Sequence, residues 1–133
     1  MRDQLKPRQI LLVEDEPNLQ LVLARVLEAT GYQVRVVGTA TEAVAQATAA
    51  RPDLMVLDVN LPDGTGWGVL RQLAGCGISC ATLPTIVLSA GQPAPSRIAE
   101  FQPRAFLPKP FPVETLKRLV AEALAGDPGP APT

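Results

Sequence analysis

Glu14, Asp15, Asp58, Ser89 and Lys109 are the residues of this chain best placed to do chemistry, because each lies at or just past the end of a short aliphatic run. Glu14-Asp15-Glu16 follows Ile10 to Val13, Asp58 follows Leu54 to Leu57, Ser89 follows Ile86 to Leu88, and Lys109 comes shortly after Ala105 to Leu107. Runs of this kind suit strands buried on both faces of a parallel sheet. In an open parallel sheet, ligands bind beyond the carboxyl ends of the strands, so these side chains are expected to converge there. Neighbouring carboxylates repel, and one takes up a proton unless a cation intervenes. Hard oxygen ligands without Cys or His point to Mg²⁺, which keeps several waters and completes its shell with phosphate oxygens. Lys109 then offers a compact positive charge to one phosphate oxygen and Ser89 a hydroxyl donor to another, leaving Asp58 free as a nucleophile.

Each residue also has an ordinary structural use. Asp58 could cap a helix or close a turn, Lys109 could be a solvated surface lysine, and Ser89 could cap the turn after it. Glu14, Asp15 and Glu16 could simply favour the positive end of a helix starting at Pro17. Their joint arrival at successive strand ends favours a phosphoryl-binding constellation.

The elements that must position them alternate along the chain. A further strand is expected at Val34 to Val37. From Pro17, the apolar residues Leu19, Val22, Leu23, Val26 and Leu27 form the stripe of a helix packed on one side, with Gly31 at its end. Thr39-Ala-Thr-Glu42 is a capping-box pattern for a second helix running to about Ala50. A third is expected over Gly66 to Ala74 and a last over Val113 to Leu124. Between Ser89 and Lys109, Pro93, Pro95, Pro103 and Pro108 leave room only for a short or irregular helix, Ser96 to Phe101. Strands alternating with helices predict an α/β fold: a doubly wound, five-stranded parallel sheet with helices on both faces. Residues 1–8 are expected to be a lead, 9–125 the domain, and 126–133 (GDPGPAPT) a flexible tail or linker stub.

The chain has 133 residues, with 12 Lys or Arg against 13 Asp or Glu, no histidine and a formal charge of −1. That length predicts one domain. The charge balance provides no basic face for nucleic acid, and the lack of histidine removes a phosphohistidine, a histidine base and a histidine metal ligand. Cys76 and Cys80 are too few for a disulfide framework or a four-ligand zinc site and are expected to be ordinary thiols in or beside a loop. The opening MRDQLKPRQ lacks the apolar run of a signal peptide, and no stretch approaches the ~18 apolar residues of a membrane span, so a cytoplasmic setting is expected.

Four motifs, LLVEDEP at 11–17, LMVLDVNLPDGTG at 54–66, TIVLSAG at 85–91 and FLPKPF at 106–111, in this order and spacing, resemble the receiver domains of two-component response regulators. The resemblance runs from about Arg8 to Ala125. It implies the flavodoxin-like strand order 2-1-3-4-5, with Asp58 as phosphoacceptor. Asp15 would ligate Mg²⁺ directly, Glu14 would act through a metal-bound water, and Asn60 would offer its backbone carbonyl. Ser89 resembles the switch hydroxyl, Lys109 the phosphate-binding lysine, and Phe106 the aromatic that turns on activation. Similar proteins have a cis bond at the position of Lys109–Pro110. The implied partner is a histidine kinase or a histidine phosphotransfer protein, with a downstream protein target. No nucleic acid or membrane is implied for this domain, which would be a monomer or weak dimer. It would be a regulatory phosphoacceptor, catalysing only its own phosphotransfer and dephosphorylation.

The chain departs from the family pattern at four places. Glu14-Asp15 stands where two aspartates are commoner, Thr65 replaces an Asp before Gly66, residues 92–103 are proline-rich, and Gly91 leaves water access to the phosphoryl group unhindered. Two other functions compete. One is a phosphorylation-independent, receiver-like interaction module. The other is a phosphohydrolase working through an aspartyl phosphate, which would want an acid where Asn60 stands.

Overall fold

A computed structural model describes residues 6–125. Residues 1–5 of the expected lead and the expected tail at 126–133 lie outside them.

Five strands, β1 (Gln9–Val13), β2 (Gln33–Val37), β3 (Leu54–Asp58), β6 (Thr85–Ser89) and β7 (Ala105–Pro108), form one parallel sheet in the order β2-β1-β3-β6-β7. Counting only these five, the order is the 2-1-3-4-5 implied by the resemblance. Two short strands that sequence reading did not anticipate, β4 (Asn60–Leu61) and β5 (Gly64–Thr65), pair antiparallel in a small hairpin directly after β3.

Successive strand residues point to opposite faces, and helices cover both. Leu11, Val13, Met55, Leu57 and Val87 pack against α2 (Ala40–Ala49) and α3 (Gly66–Gly75), which contribute Ala43, Ala47, Val69, Leu70 and Leu73. Ile10, Leu12, Leu54, Val56, Ile86 and Leu88 pack against α1 (Pro17–Ala29) and α5 (Val113–Leu124) through Leu23, Leu27, Leu116 and Val120. This two-sided burial is why the strands read as unbroken aliphatic runs.

The helix ends follow local chemistry. In α2 the Thr39 side chain accepts the Glu42 N–H at 3.1 Å, while Glu42 accepts the Gly38 N–H at 3.3 Å. Gly31, with φ of +111°, turns the chain from α1 toward β2. The proline-rich stretch forms α4 (Pro95–Phe101), seven residues with none of them buried. Phe101 stacks on Trp67 of α3 with centroids 5.9 Å apart, and the Arg71 guanidinium lies 5.4 Å from the same ring centroid. Cys76 and Cys80 are both free, on the connection between α3 and β6. Among the described residues, no helix is long and apolar enough to cross a membrane.

Candidate functional site

Parallel pairing puts the carboxyl ends of β1, β3, β6 and β7 on one edge of the sheet, and the candidate residues gather there. Asp58 is the last residue of β3 and is 3% exposed; Glu14, one residue past β1, has no exposed surface, and Asp15 faces solvent. One carboxylate oxygen from each of the three lies within 4.8 Å of the others. Lys109, one residue past β7, places its Nζ 2.9 Å from Glu14 Oε1 and 3.1 Å from Asp58 Oδ2.

The run Glu14-Asp15-Glu16 divides its labour. Glu16 has the ordinary use: its carboxylate accepts the Asn18 and Leu19 N–H groups at 2.8 and 3.0 Å, capping α1. Glu14 turns inward, its second oxygen accepting the Glu16 N–H at 3.1 Å. Its backbone is clamped on both sides, because its N–H donates to the Val37 carbonyl at 3.0 Å and its carbonyl accepts the Gln20 side-chain amide. Asp15 is left with its carboxylate in solvent beside Asp58.

Burial pushes the Glu14 carboxyl above its ordinary pKa, with the nearby Asp58 charge adding to the effect; the hydrogen bonds from Lys109 and the Glu16 amide only partly offset it. Lys109 shows the opposite balance. Burial works against its ammonium, but bonding to Glu14 and Asp58 outweighs that and holds its pKa above the usual lysine value.

Ser89 ends β6, and its carbonyl accepts the Lys109 N–H at 2.6 Å, so the two residues are locked by backbone. The Ser89 hydroxyl accepts the Gly91 N–H at 3.2 Å, which is its ordinary turn-capping use. The Lys109–Pro110 bond is cis. Phe106 pairs with Val87 in the sheet and lies half-buried against the α2/α3 side of the core, as do Ile98 and Phe101. Asn60 is exposed in β4, opposite Thr65. Thr65 caps α3 by accepting the Gly68 N–H at 3.0 Å.

Three positioning features were not singled out from sequence. A Cβ at Gly66 would lie 2.6 Å from the Asp58 carbonyl oxygen, so only glycine lets α3 start this close behind the buried aspartate. Gln20 fixes the backbone at Glu14. Asp63, at the tip of the β4–β5 hairpin, bonds to the start of α2. The DGTG run could have drawn attention to Gly66; Gln20 and Asp63 act across 6 and 23 residues and carry no local signal.

The donor set suits a divalent cation. Three carboxylates against one ammonium leave a formal charge of −2 when all are ionised, the oxygens are hard ligands, and one of the acids is open to water.

The family model for the response regulator receiver domain matches residues 10–121. The response regulator MprA of Mycobacterium tuberculosis is 38% identical over 110 residues, 81% of this chain and 46% of the relative. The probable transcriptional regulatory protein TcrX of the same organism is 34% identical over 111 residues, 82% and 46% of the two chains. The chain thus spans about half the length of the curated relatives it matches. Among solved structures, the non-phosphorylated HemR receiver domain of Leptospira biflexa superposes with a TM-score of 0.79 at 32% identity, covering 90% of this chain and 95% of that one. TrrA of Thermotoga maritima, solved in complex with Mg²⁺ and BeF, gives 0.77 at 26% identity, covering 88% and 99%.

Proposed function

Since the chain belongs to the response regulator receiver domain family, we propose that it takes a phosphoryl group from a partner phosphohistidine onto Asp58 and thereby switches its contacts with other proteins. The donor is a histidine kinase or a histidine phosphotransfer protein. The donor histidine lies on a separate molecule or a separate domain, because these 133 residues contain no histidine. The reading is carried by one observation: a buried aspartate at a strand end, 3.1 Å from a lysine ammonium and sharing its pocket with Glu14 and Asp15.

Asp15 and Asp58 would hold Mg²⁺ directly, with the Asn60 backbone carbonyl as a third protein ligand. Glu14, whose oxygens are already engaged by Lys109 and the Glu16 N–H, would act one step back, through water. When bound, Mg²⁺ would supply positive charge against these acids and the incoming phosphoryl oxygens. A carboxylate oxygen of Asp58 attacks phosphorus in line as the bond to the donor's imidazole nitrogen breaks, and that nitrogen keeps the electron pair. Lys109 gives up one of its carboxylate partners to bond an equatorial phosphoryl oxygen. The Ser89 hydroxyl donates to another, leaving the Gly91 N–H it now accepts from. Phe106 turns into the space so vacated. The outcome is a shift between two packings of the β6–β7 edge, and phosphorylation must favour one by a few kcal/mol to act as a switch.

The domain spans residues 9–125, works in the cytoplasm as a monomer or weak dimer, and has no turnover beyond its own phosphotransfer and dephosphorylation. Its output passes to a downstream protein target or, through residues 126–133 as a linker, to a further domain.

Incubation with Mg²⁺ and acetyl phosphate tests the reading. One base-labile phosphoryl group per chain is expected, absent in Asp58→Asn. Steady hydrolysis of a phosphomonoester, or no phosphorylation and no response to beryllofluoride, would overturn it.

A further inference from the structure

Asp63 lies five residues beyond Asp58, exposed at the tip of the β4–β5 hairpin, yet its carboxylate is fully committed to another element. Oδ1 accepts the Ala40 N–H at 2.7 Å, and Oδ2 accepts the Thr41 N–H at 3.0 Å and the Thr41 hydroxyl at 2.8 Å. These bonds hold the Asp63 carboxyl below its ordinary pKa. Helix α2 already has its own cap in Thr39, which serves the Glu42 N–H, so Asp63 takes the two first-turn donors that Thr39 does not reach. Hairpin and helix also run close together: a Cβ added at Gly64 would come within 3.6 Å of the Ala40 Cβ.

The other end of the segment is equally fixed. The Gly66 N–H donates to the Val59 carbonyl at 2.7 Å, and Gly66 sits against the Asp58 carbonyl oxygen with no room for a side chain. Residues 59–66 are therefore pinned at the base by Gly66 and at the tip by Asp63. Asn60, whose carbonyl is assigned above to the cation, lies between the two pins.

We propose that Asp63 is a positioning residue: by mooring the hairpin to α2 it holds the backbone after Asp58 in the shape that receives the divalent cation. Its consequence at the cation rests on the phosphoacceptor reading; the mooring itself does not.

Three proteins test this, the native chain, Asp63→Ala and Thr39→Ala, with two readouts: amide hydrogen exchange at Gly66, and Mg²⁺ binding followed by calorimetry. Thr39→Ala removes α2's own cap without touching the hairpin. In Asp63→Ala, Gly66 exchange is expected to accelerate and the Mg²⁺ dissociation constant to rise roughly 10-fold, the usual effect of losing a group that orients a metal ligand. In Thr39→Ala, Glu42 exchange accelerates while Gly66 and Mg²⁺ stay at native values. Asp63→Asn, which keeps one acceptor oxygen, falls between and serves if the alanine variant does not fold. Native values for Gly66 and Mg²⁺ in Asp63→Ala, or equal changes in Thr39→Ala, would overturn the proposal. So would accelerated exchange with unchanged Mg²⁺ affinity. A native chain that binds no Mg²⁺ defeats the phosphoacceptor reading and the consequence at the cation, while Gly66 exchange still decides the mooring.

Discussion

Lys109 and Glu14 stand 95 residues apart in the chain and meet at 2.9 Å, with the glutamate wholly buried and the lysine side chain 23% exposed. The same ammonium serves Asp58. It is the one cation bonded to this pocket among the described residues, so the acids depend on it whenever no divalent ion is present.

Lys109→Met should therefore destabilise the metal-free protein. Breaking a buried ion pair typically costs ~3–5 kcal/mol, and the partial exposure of Lys109 reduces this to about 1–3 kcal/mol. Urea denaturation in EDTA measures it, and added Mg²⁺ should recover part of the loss. A native midpoint for the variant in EDTA would contradict the pairing described above.

Glu14→Gln should behave differently. The folded-state pKa of Glu14 lies above the ordinary glutamate value, so folding favours the protonated form. Its contribution is fully present below the ordinary pKa and is lost as pH rises through the folded value. A neutral amide removes that pH-dependent penalty. The variant should be at least as stable as the native protein at neutral pH without divalent ions, with a flatter pH dependence and less stabilisation by Mg²⁺. Greater instability than the native chain under those conditions would show that the charge itself is needed.

Gly66→Ala pushes a methyl group to within 2.6 Å of the backbone oxygen of buried Asp58. Overpacking of this kind costs about 1–3 kcal/mol, and the displaced Asp58 should accept phosphoryl groups more slowly. Equilibrium denaturation and acetyl-phosphate labelling on the same variant read both effects. Native stability here would mean that the α3 start shifts freely.

Phe101→Ala removes the ring that joins α4 to Trp67 and Arg71. No residue of α4 is fully buried, and besides Phe101 the helix is held by half-buried Ile98 and the exposed Arg71–Glu100 ion pair. We expect a loss of about 1–2 kcal/mol, fast amide exchange over residues 95–101 and a red-shifted emission from Trp67, the single tryptophan. Unchanged exchange would mean that Ile98 and the Arg71–Glu100 ion pair suffice.

Much of the site was legible because the sheet is parallel. Aliphatic runs marked the strands, and the residue after each run had to fall on one edge; that placed Glu14, Asp58, Ser89 and Lys109 together without coordinates. The short α4 was legible too, since prolines act on the residues beside them: the structure starts it at Pro95, one residue before the expected Ser96. The β4–β5 hairpin was not, because two-residue strands leave no periodicity to read. The resemblance set Glu14 and Asp15 apart from Glu16, but residue type and spacing alone did not, since three adjacent acids look alike until one caps a helix and another is buried.

Local pattern thus determined the strands, the helix caps and the chemical character of the strand ends, since propensity and period act over a few residues. Folding alone decided which acid faces Lys109, how closely Gly66 approaches Asp58, and that Asp63 belongs to α2. Those are contacts between groups distant in the chain or packed backbone against backbone, which no local pattern encodes; for the buried Glu14–Lys109 pair, the loss of surrounding water also strengthens the contact.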